Sequence, residues 1–362
     1  MFVQLSEEIQ GYILDCDVFN DRGMLLLPKG HLLVKSDIQF LLKNHIFEVE
    51  ATAPQAENEE NPSPDSPNED SQPSSPDLPP SSTYQLRILD AHNHFAKAVE
   101  DMEGLFNKTQ KECRIDTEEF SSIFHPLVDI SLQQRNLFLS LSLSPSEQQR
   151  LYHHSLQVGI ISTVMAKLLK LPEDQCRRIG MAGLIHDIGK VLLEDPSEYK
   201  KHPTHGYHLL LNSKNATQEM LDAVQFHHES PNGKGYPNGK MKEEIPLAAQ
   251  IIAAANLFEH MSHDQHSSTH PSPYMALSGL VESAYNGEID LEIVTPFVSF
   301  LTPSFIGQKV VLTGELIGEI VSIDNDEPNR PTVRLSTGQF MNLKVHRYFK
   351  IQRVLEKSPT IV

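Results

Sequence analysis

Apolar residues between Tyr84 and about Met261 recur every three or four positions, which is the spacing of amphipathic helices. This period predicts helices over 84–111, 117–135, 145–169, 173–187, 203–211, 217–228 and 244–261, with further helix over 274–303. After Pro303, apolar and polar positions alternate, which is typical of short strands. The alternation predicts strands over 309–313, 318–323, 332–335, 340–345 and 348–354. We therefore expect a mainly α protein, with an all-helical domain over 84–303 and a small β-barrel-like domain over 304–362.

Residues 1–51 predict a small α+β module that precedes the helices. The expected elements are strands over 11–19, 24–27 and 47–50 and a helix over 36–43. Residues 52–83 differ in kind, because they are rich in proline and serine and contain seven acidic and no basic residues. Such a segment cannot bury enough apolar surface to offset the entropy of ordering. We expect it to be a disordered acidic linker.

The composition excludes several classes of function. A formal net charge of −18 argues against a surface for DNA, although part of that acidity lies in the linker. The chain opens without a basic stretch followed by an apolar run, and no apolar run approaches membrane-spanning length, so neither a signal peptide nor a membrane span is expected. The three cysteines, Cys16, Cys113 and Cys176, are far apart and are expected to be small buried hydrophobes. This sparse set favours a reducing compartment and a cytoplasmic protein.

Histidines recur on the apolar faces of the predicted helices. His154 begins a stripe that continues through Val158 and Ile161, whereas the adjacent His153 lies off the stripe and is expected to be solvated. His186 and Lys190 are four residues apart and share a helix face if that helix continues. Between them, Asp187 has two carboxylate oxygens and could bridge two cations.

The pair His227 and His228 follows the apolar stripe of its predicted helix, where two uncoordinated imidazoles would be costly. His202 opens another helix, so its side chain can point into a cleft, and it is favoured as a ligand over His205 and His208. Each histidine alone is more simply a core residue that bonds a carbonyl. The combination predicts a metal site.

The candidate ligands are sufficient for two metal ions: His154, His186, Asp187, His202, His227 and His228. Mixed imidazole and carboxylate ligands suit Fe, Mn, Co or Zn better than Ca. Two ions about 3.5–4 Å apart can activate water as hydroxide and hold a phosphoryl oxygen, which is the machinery of phosphodiester hydrolysis. Asp187 and Lys190 are the candidate catalytic residues, with Lys190 stabilising charge on the phosphoryl oxygens.

These residues, in this order, resemble the HD-GYP family of cyclic di-GMP phosphodiesterases. The matching segments are His154-Ser155, His186-Asp187-Ile188-Gly189-Lys190, His202-Pro203-x-x-Gly206, His227-His228-Glu229, the stretch from Asn232 to Gly239 and Ile245-Pro246-Leu247-Ala248. The resemblance implies an HD-type phosphohydrolase domain, two divalent ions (Fe or Mn) and hydrolysis of cyclic di-GMP to the linear dinucleotide or GMP. It also implies that Lys190, Lys234, Gly235, Tyr236 and Pro237 lie at the substrate.

The chain departs from the family pattern at several positions. Asn256 stands where the family usually has a metal-binding aspartate, and its amide oxygen is a neutral, poorer ligand that should still face the site. Ser230 and Asn232 replace a usual arginine and aspartate, and the arginine-rich stretch that often follows the next helix is absent from 262–273. Arg150 stands where members with a third metal have glutamate, so a two-metal site is the expectation.

Three functions remain open from the sequence. The first is an active cyclic di-GMP phosphodiesterase, which the retained ligands favour. The second is a degenerate domain that binds a nucleotide or signalling-protein partners without turnover, which Asn256 and Ser230 favour. The third is an HD-type phosphohydrolase of another nucleotide. The terminal modules could be sensors, spacers or the dimerisation units of a homodimer.

Overall fold

The chain divides into two units, Met1–Pro76 and Asp77–Val362, in a computed structural model. The structure describes scattered residues within 2–52 and the ranges 80–132, 147–213, 215–263, 272–324 and 327–355. Within these ranges, no helix has both the length and the apolar character that crossing a bilayer requires. Most of the predicted linker and Cys16 lie outside the described residues.

The first unit contains short antiparallel strands around a small core. The strands are β1 (Phe2–Gln4), β2 (Ile13–Leu14), β3 (Val18–Phe19), β4 (Leu25–Leu27) and β5 (Glu48–Thr52). Strand β5 pairs with both β1 and β2, and β3 pairs with β4. The long strand expected over 11–19 is instead the two short strands β2 and β3. Ile38 and Leu41 are helical and buried, and the rest of the helix expected over 36–43 lies outside the described residues.

The second unit is mainly helical, as its period predicts. Its helices are α1 (Pro80–Glu112), α2 (Thr117–Leu132), α3 (Arg150–Leu168), α4 (Glu173–Ile185), α5 (His202–Leu211), α6 (Gln218–Phe226), α7 (Leu247–His263), α8 (Pro273–Tyr285) and α9 (Leu291–Leu301). Helix α1 begins inside the segment that we expected to be linker. The helix expected over 274–303 is divided into α8 and α9, because Gly287 turns the chain with a φ of 72°.

Two helix ends differ from the prediction in a way that matters for the histidines. Helix α4 ends at Ile185 and α6 at Phe226, so His186, His227 and His228 lie just beyond helix ends rather than on helix faces. Short 3-10 turns follow α4 at Ile188–Leu192 and precede α5 at Pro196–Lys201. The expectation that His186 and Lys190 share an α-helical face is therefore wrong.

Small residues let α3 and α4 pack closely, as their sequence suggested. A Cβ added at Gly180 would lie 2.0 Å from Thr163 Oγ1, and one added at Gly183 would lie 2.8 Å from Ser162 Oγ. Because the two helices approach so closely, the side chain of His154 on α3 can reach His186 at the end of α4.

The C-terminal strands form an open sheet and not a barrel. They are β6 (Lys309–Leu312), β7 (Leu316–Ser322), β8 (Thr332–Leu335), β9 (Phe340–Asn342) and β10 (Ile351–Val354), all antiparallel in the order β10-β6-β7-β8-β9. Strands β10 and β9 are not paired with each other among the described residues, so the β-barrel-like prediction is wrong. Val310, Ile320 and Val333 belong to the same apolar core as the helices.

The two described cysteines differ in their surroundings. Cys176 is fully buried in α4, as expected, whereas Cys113 is exposed at the end of α1. The prediction of a buried Cys113 is wrong, because the residue lies in the turn between two helices, at a φ of 48°, rather than on an apolar helix face.

Candidate metal centre

The carboxylate of Asp187 lies at the centre of a buried histidine cluster. Two imidazoles face its Oδ2 atom, with His186 Nε2 at 3.3 Å and His154 Nε2 at 3.5 Å. Two others face Oδ1, with His202 Nε2 at 3.0 Å and His227 Nε2 at 3.8 Å. Two groups of metal-ligand atoms result, one from His154, His186 and Asp187 and the other from Asp187, His202, His227 and His228. The structure thus brings together all six residues that the sequence singled out.

Helix ends orient three of these imidazoles. His186 Nδ1 donates to Gly183 O at 2.7 Å, His202 Nδ1 to Tyr199 O at 2.5 Å, and His227 Nδ1 to Val224 O at 2.8 Å. Each acceptor is the carbonyl three residues earlier, at the end of a helix or of the 3-10 turn before α5, and Tyr199 O also accepts the backbone N–H of His202. Because a carbonyl oxygen only accepts, Nδ1 carries the proton of a neutral ring and Nε2 faces Asp187 with a lone pair.

The charge states of three of the imidazoles suit metal binding. Burial lowers the pKa of His186 and lowers that of His227 well below its usual value, so both rings are neutral. Burial and the neighbouring His202 lower the pKa of His228 to about 3. Metal ligation requires neutral imidazole, so these rings are in the form that binds metal.

The donor atoms of the cluster are arranged as the binding of a cation would require. The Nε2 atoms of His154 and His186 are 3.3 Å apart, and those of His202 and His227 are 3.2 Å apart. Because His202 and His227 both carry their proton on Nδ1, the lone pairs of their Nε2 atoms repel each other unless a cation lies between them. Asp187 Oδ1 is buried without a hydrogen-bond donor, which is costly for a carboxylate. A divalent cation would satisfy both features.

Glu259 is a buried carboxylate of the site that sequence reasoning missed. Its Oε2 atom lies 2.5 Å from His154 Nδ1. Burial lowers the pKa of His154, but the carboxylates of Glu259 and Asp187 outweigh that effect and raise it to about 9. Glu259 follows Asn256 by one helical turn on α7, so continuing the stripe on which Asn256 was placed would have found it.

Lys190 reaches the cluster through a 3-10 turn. Its Nζ atom lies 2.5 Å from Asp187 Oδ2. Burial raises the pKa of Asp187, but His186 and Lys190 outweigh it and hold that pKa well below its usual range. Asp187 is therefore an anion with one lysine beside it and imidazoles around it.

A cavity of about 660 Å³ opens beside the cluster. Besides most of the candidate metal ligands, its lining includes Lys190, Lys234, Gly235, Tyr236 and Asn256, which the sequence also implicated. Pro237 does not belong to this lining and is exposed, so its predicted place at the substrate finds no support in the cavity wall. The lining also contains Tyr199, His260, Glu288 and Ile289, which sequence reasoning did not select.

The glycine-rich loop is attached directly to a candidate ligand. The Tyr236 ring stacks on the His228 ring, with centroids 4.5 Å apart and planes at 16°. A Cβ added at Gly235 would lie 2.4 Å from the backbone nitrogen of Ser230, so only glycine permits this approach. The buried Glu229 carboxylate accepts the backbone N–H of Asn238 at 2.6 Å and that of Lys240 at 2.8 Å. The loop is thus part of the cavity wall.

His153 is not solvated, contrary to the prediction. It is 3% exposed, and its ring packs edge-on against Phe95 and His263, with centroids 5.0 Å and 5.8 Å away. The prediction failed because helix α1 covers the face of α3 that the apolar stripe left polar.

The part of the chain that contains this site is similar to known proteins. A family model described as "HD domain" matches residues 140–293. The chain is 27% identical to cyclic di-GMP phosphodiesterase PA4108 of Pseudomonas aeruginosa, over 60% of this chain and 55% of that protein. It is 34% identical to the cyclic di-GMP phosphodiesterase response regulator RpfG of Xanthomonas campestris, over 27% of this chain and 30% of that protein.

The structural comparison is weaker. Bd1817, described as an HDG"Y"P protein from Bdellovibrio bacteriovorus, is 15% identical, with a TM-score of 0.48 over 83% of this chain and 99% of that chain. The chain spans about half the length, or less, of the curated relatives named above. Residues 140–293, which carry every candidate ligand, are the part of the chain that matches the HD domain model.

Proposed function

We propose that this chain is a metal-dependent phosphodiesterase that hydrolyses cyclic di-GMP to the linear dinucleotide or GMP. The observation that carries the proposal is the Asp187 carboxylate, which lies between two groups of imidazole nitrogens at the wall of a cavity. Relatives named as cyclic di-GMP phosphodiesterases support the same chemistry.

Each ligand group would hold one divalent ion. His154, His186 and Asp187 would hold the first, and Asp187, His202, His227 and His228 the second. Bound ions supply positive charge that polarises a phosphoryl oxygen and lowers the pKa of water. The ligand set lacks thiolate, and Fe or Mn is our proposal for the metal.

The chain's own residues would bind and orient the substrate. Lys190 and Lys234 bring positive charge to the cavity wall, where a phosphodiester would lie. Its ion pair with Asp187 holds Lys190 beside the ligand groups, where its charge would stabilise the phosphoryl oxygens. Tyr199 and Tyr236 offer aromatic rings to the bases. The volume of about 660 Å³ lies within the range of small-molecule sites.

Product analysis of the purified protein tests the proposal. The protein, prepared anaerobically with Mn(II) or Fe(II), is incubated with cyclic di-GMP, 3'3'-cGAMP or cyclic di-AMP, and the products are separated by chromatography. We expect linear product from the wild type and its loss in Asp187→Asn, which keeps the shape of the side chain. Asp195→Asn is the matched control, because Asp195 is exposed and accepts the backbone N–H of Ser197. Equal turnover by Asp187→Asn would contradict the proposed metal mechanism.

A second candidate function is nucleotide binding without turnover. The observation that favours it is Asn256, a neutral amide in the cavity wall where the related family usually has a carboxylate. Calorimetry would then detect binding of cyclic di-GMP while chromatography detects no product, and Asn256→Asp should raise metal occupancy. Turnover by the wild type would exclude this candidate. The cytoplasmic location, the homodimer and the signalling-protein partners stay predictions.

A further inference from the structure

The buried Glu259 has no role in the ligand groups themselves. It lies on α7 and is 5% exposed. Oε2 accepts from His154 Nδ1 at 2.5 Å. Oε1 lies 3.1 Å from His263 Nδ1, which is hydrogen-bonded to the backbone oxygen of Glu259 at 3.0 Å. Burying a carboxylate is costly unless its charge is used or compensated. The negative charge of Glu259 is therefore expected to have a function.

His154 differs from the other oriented ligands in the partner of its Nδ1 atom. His186, His202 and His227 each donate to a neutral backbone carbonyl. His154 lies in the second turn of α3, where the carbonyls of earlier residues are used by the helix, and it bonds a carboxylate from α7 instead. A carboxylate partner both fixes the ring and makes Nε2 a more basic metal ligand.

The charge balance of the site shows why the carboxylate of Glu259 matters in this chain. Among the described residues, the two ligand groups contain one carboxylate, Asp187, to offset two divalent ions. Asn256, which lines the same cavity, adds no charge. Glu259 lies one turn further along α7 and adds one negative charge in a buried place, where screening by water is weak.

We propose that Glu259 is a positioning residue for metal binding, which orients His154 and supplies the negative charge that Asn256 does not. This inference rests on the proposed metal site. It assigns Glu259 no contact with substrate or metal. It predicts that removing the charge of Glu259 weakens metal binding while the fold stays intact.

Mn(II) binding measures the effect directly. Wild type and Glu259→Gln are titrated with Mn(II), and free Mn(II) is followed by electron paramagnetic resonance. We expect the dissociation constant of the weaker ion to rise by about 10–100-fold in Glu259→Gln, as for other residues that orient a metal ligand. Glu288→Gln is the matched control, because Glu288 is an exposed carboxylate of the same cavity wall. Its Mn(II) affinity should stay at the wild-type value.

A double-mutant cycle with Asn256→Asp separates this role from a structural one. If Glu259 compensates for Asn256, Asn256→Asp should improve Mn(II) affinity more in the Glu259→Gln background than in the wild type. Removing the buried partner of His154 lowers the thermal midpoint of the metal-free protein by itself, so the increase caused by Mn(II) is measured from each variant's own metal-free midpoint, and this increase should be smallest in Glu259→Gln. If Glu259→Gln fails to fold, Glu259→Met, which is also uncharged and of similar length, takes its place in the cycle.

These measurements distinguish failure of the inference from failure of the proposed function. The inference would be overturned if the Mn(II) affinity of Glu259→Gln is unchanged, or if it falls only as much as that of Glu288→Gln. An additive double-mutant cycle would overturn it as well. If the wild type binds Mn(II) and the cycle is non-additive but no cyclic dinucleotide is hydrolysed, the inference stands and the phosphodiesterase proposal fails. If the wild type binds no Mn(II), both fail.

Discussion

Gly189, between Asp187 and Lys190, is the position where one added methyl group should disturb the site most. A Cβ at Gly189 would lie 2.0 Å from His202 O and 2.4 Å from Gly206 N, both backbone atoms of α5. Carbon contacts in proteins are rarely tighter than 3.4 Å, so relief requires a movement of about 1.4 Å, the difference between 3.4 and 2.0 Å. Backbone cannot rotate away as a side chain can, so α5 must shift from the turn that holds Asp187.

The expected losses of stability and turnover follow from the packing around Gly189 and from the distances between the ligand atoms. Overpacking of this kind costs about 1–3 kcal/mol, which lowers the midpoint of thermal unfolding by roughly 2–12 °C in a domain of this size. The shift also separates His202 Nε2 from Asp187 Oδ1, now 3.0 Å apart. A displacement of about 1 Å at a reacting centre costs on the order of 100-fold in rate, so we expect turnover to fall by about that factor.

Gly104→Ala provides the matched control. Gly104 lies in α1, and a Cβ there would have no atom within 4 Å. Alanine in a helix interior is more stable than glycine by about 1 kcal/mol, so this variant should unfold at a slightly higher temperature and keep wild-type turnover. Thermal unfolding without metal, Mn(II) affinity and turnover are measured for both variants. If Gly189→Ala has the wild-type unfolding temperature, Mn(II) affinity and turnover, the close contact of Gly189 with α5 does not hold the site in place.

Two further predictions concern the cavity wall. Tyr199→Ala should raise KM for a cyclic dinucleotide by about 10-fold while kcat changes little, because Tyr199 lines the cavity 6.5 Å from the Tyr236 ring and base stacking contributes about 1–3 kcal/mol. Steady-state kinetics would show this, and Tyr199→Phe, which keeps the ring, should behave as wild type. Lys190→Met should lower kcat by about 100–1000-fold without weakening Mn(II) binding, because it removes a cation that lies 2.5 Å from Asp187 Oδ2. Weaker Mn(II) binding with unchanged kcat would show that Lys190 acts on the ligand and not on the substrate.

Local spacing correctly predicted most helices of the second unit, because an apolar stripe of three- and four-residue period records which face a helix buries. It also selected the six clustered residues, Asp187 and the five histidines around it, because several imidazoles in apolar segments are costly unless something binds them. The same reasoning misplaced His153, since a stripe does not say which second helix covers its polar edge.

Helix ends and strand closure were beyond local reasoning. The apolar stripe continues past Ile185 and Phe226, yet both helices end there, and the freed carbonyls then orient His186 and His227. Alternating strands predict a sheet after Pro303 but not whether its edges pair, and here β9 and β10 are separate edges of an open sheet.

Residue order and spacing therefore determined the helical class and the identity of the six clustered residues, because helix burial and the cost of a buried imidazole are local properties. Tertiary packing alone decided that Asp187 lies between two groups of nitrogens, that Glu259 bonds His154 across 105 residues of chain, and that Tyr199 lines the cavity. These are distances between segments far apart in sequence. They depend on how closely α3, α4, α5 and α7 approach one another, and that approach is set by the volumes of side chains at the contacts, above all by the glycines that leave room for it.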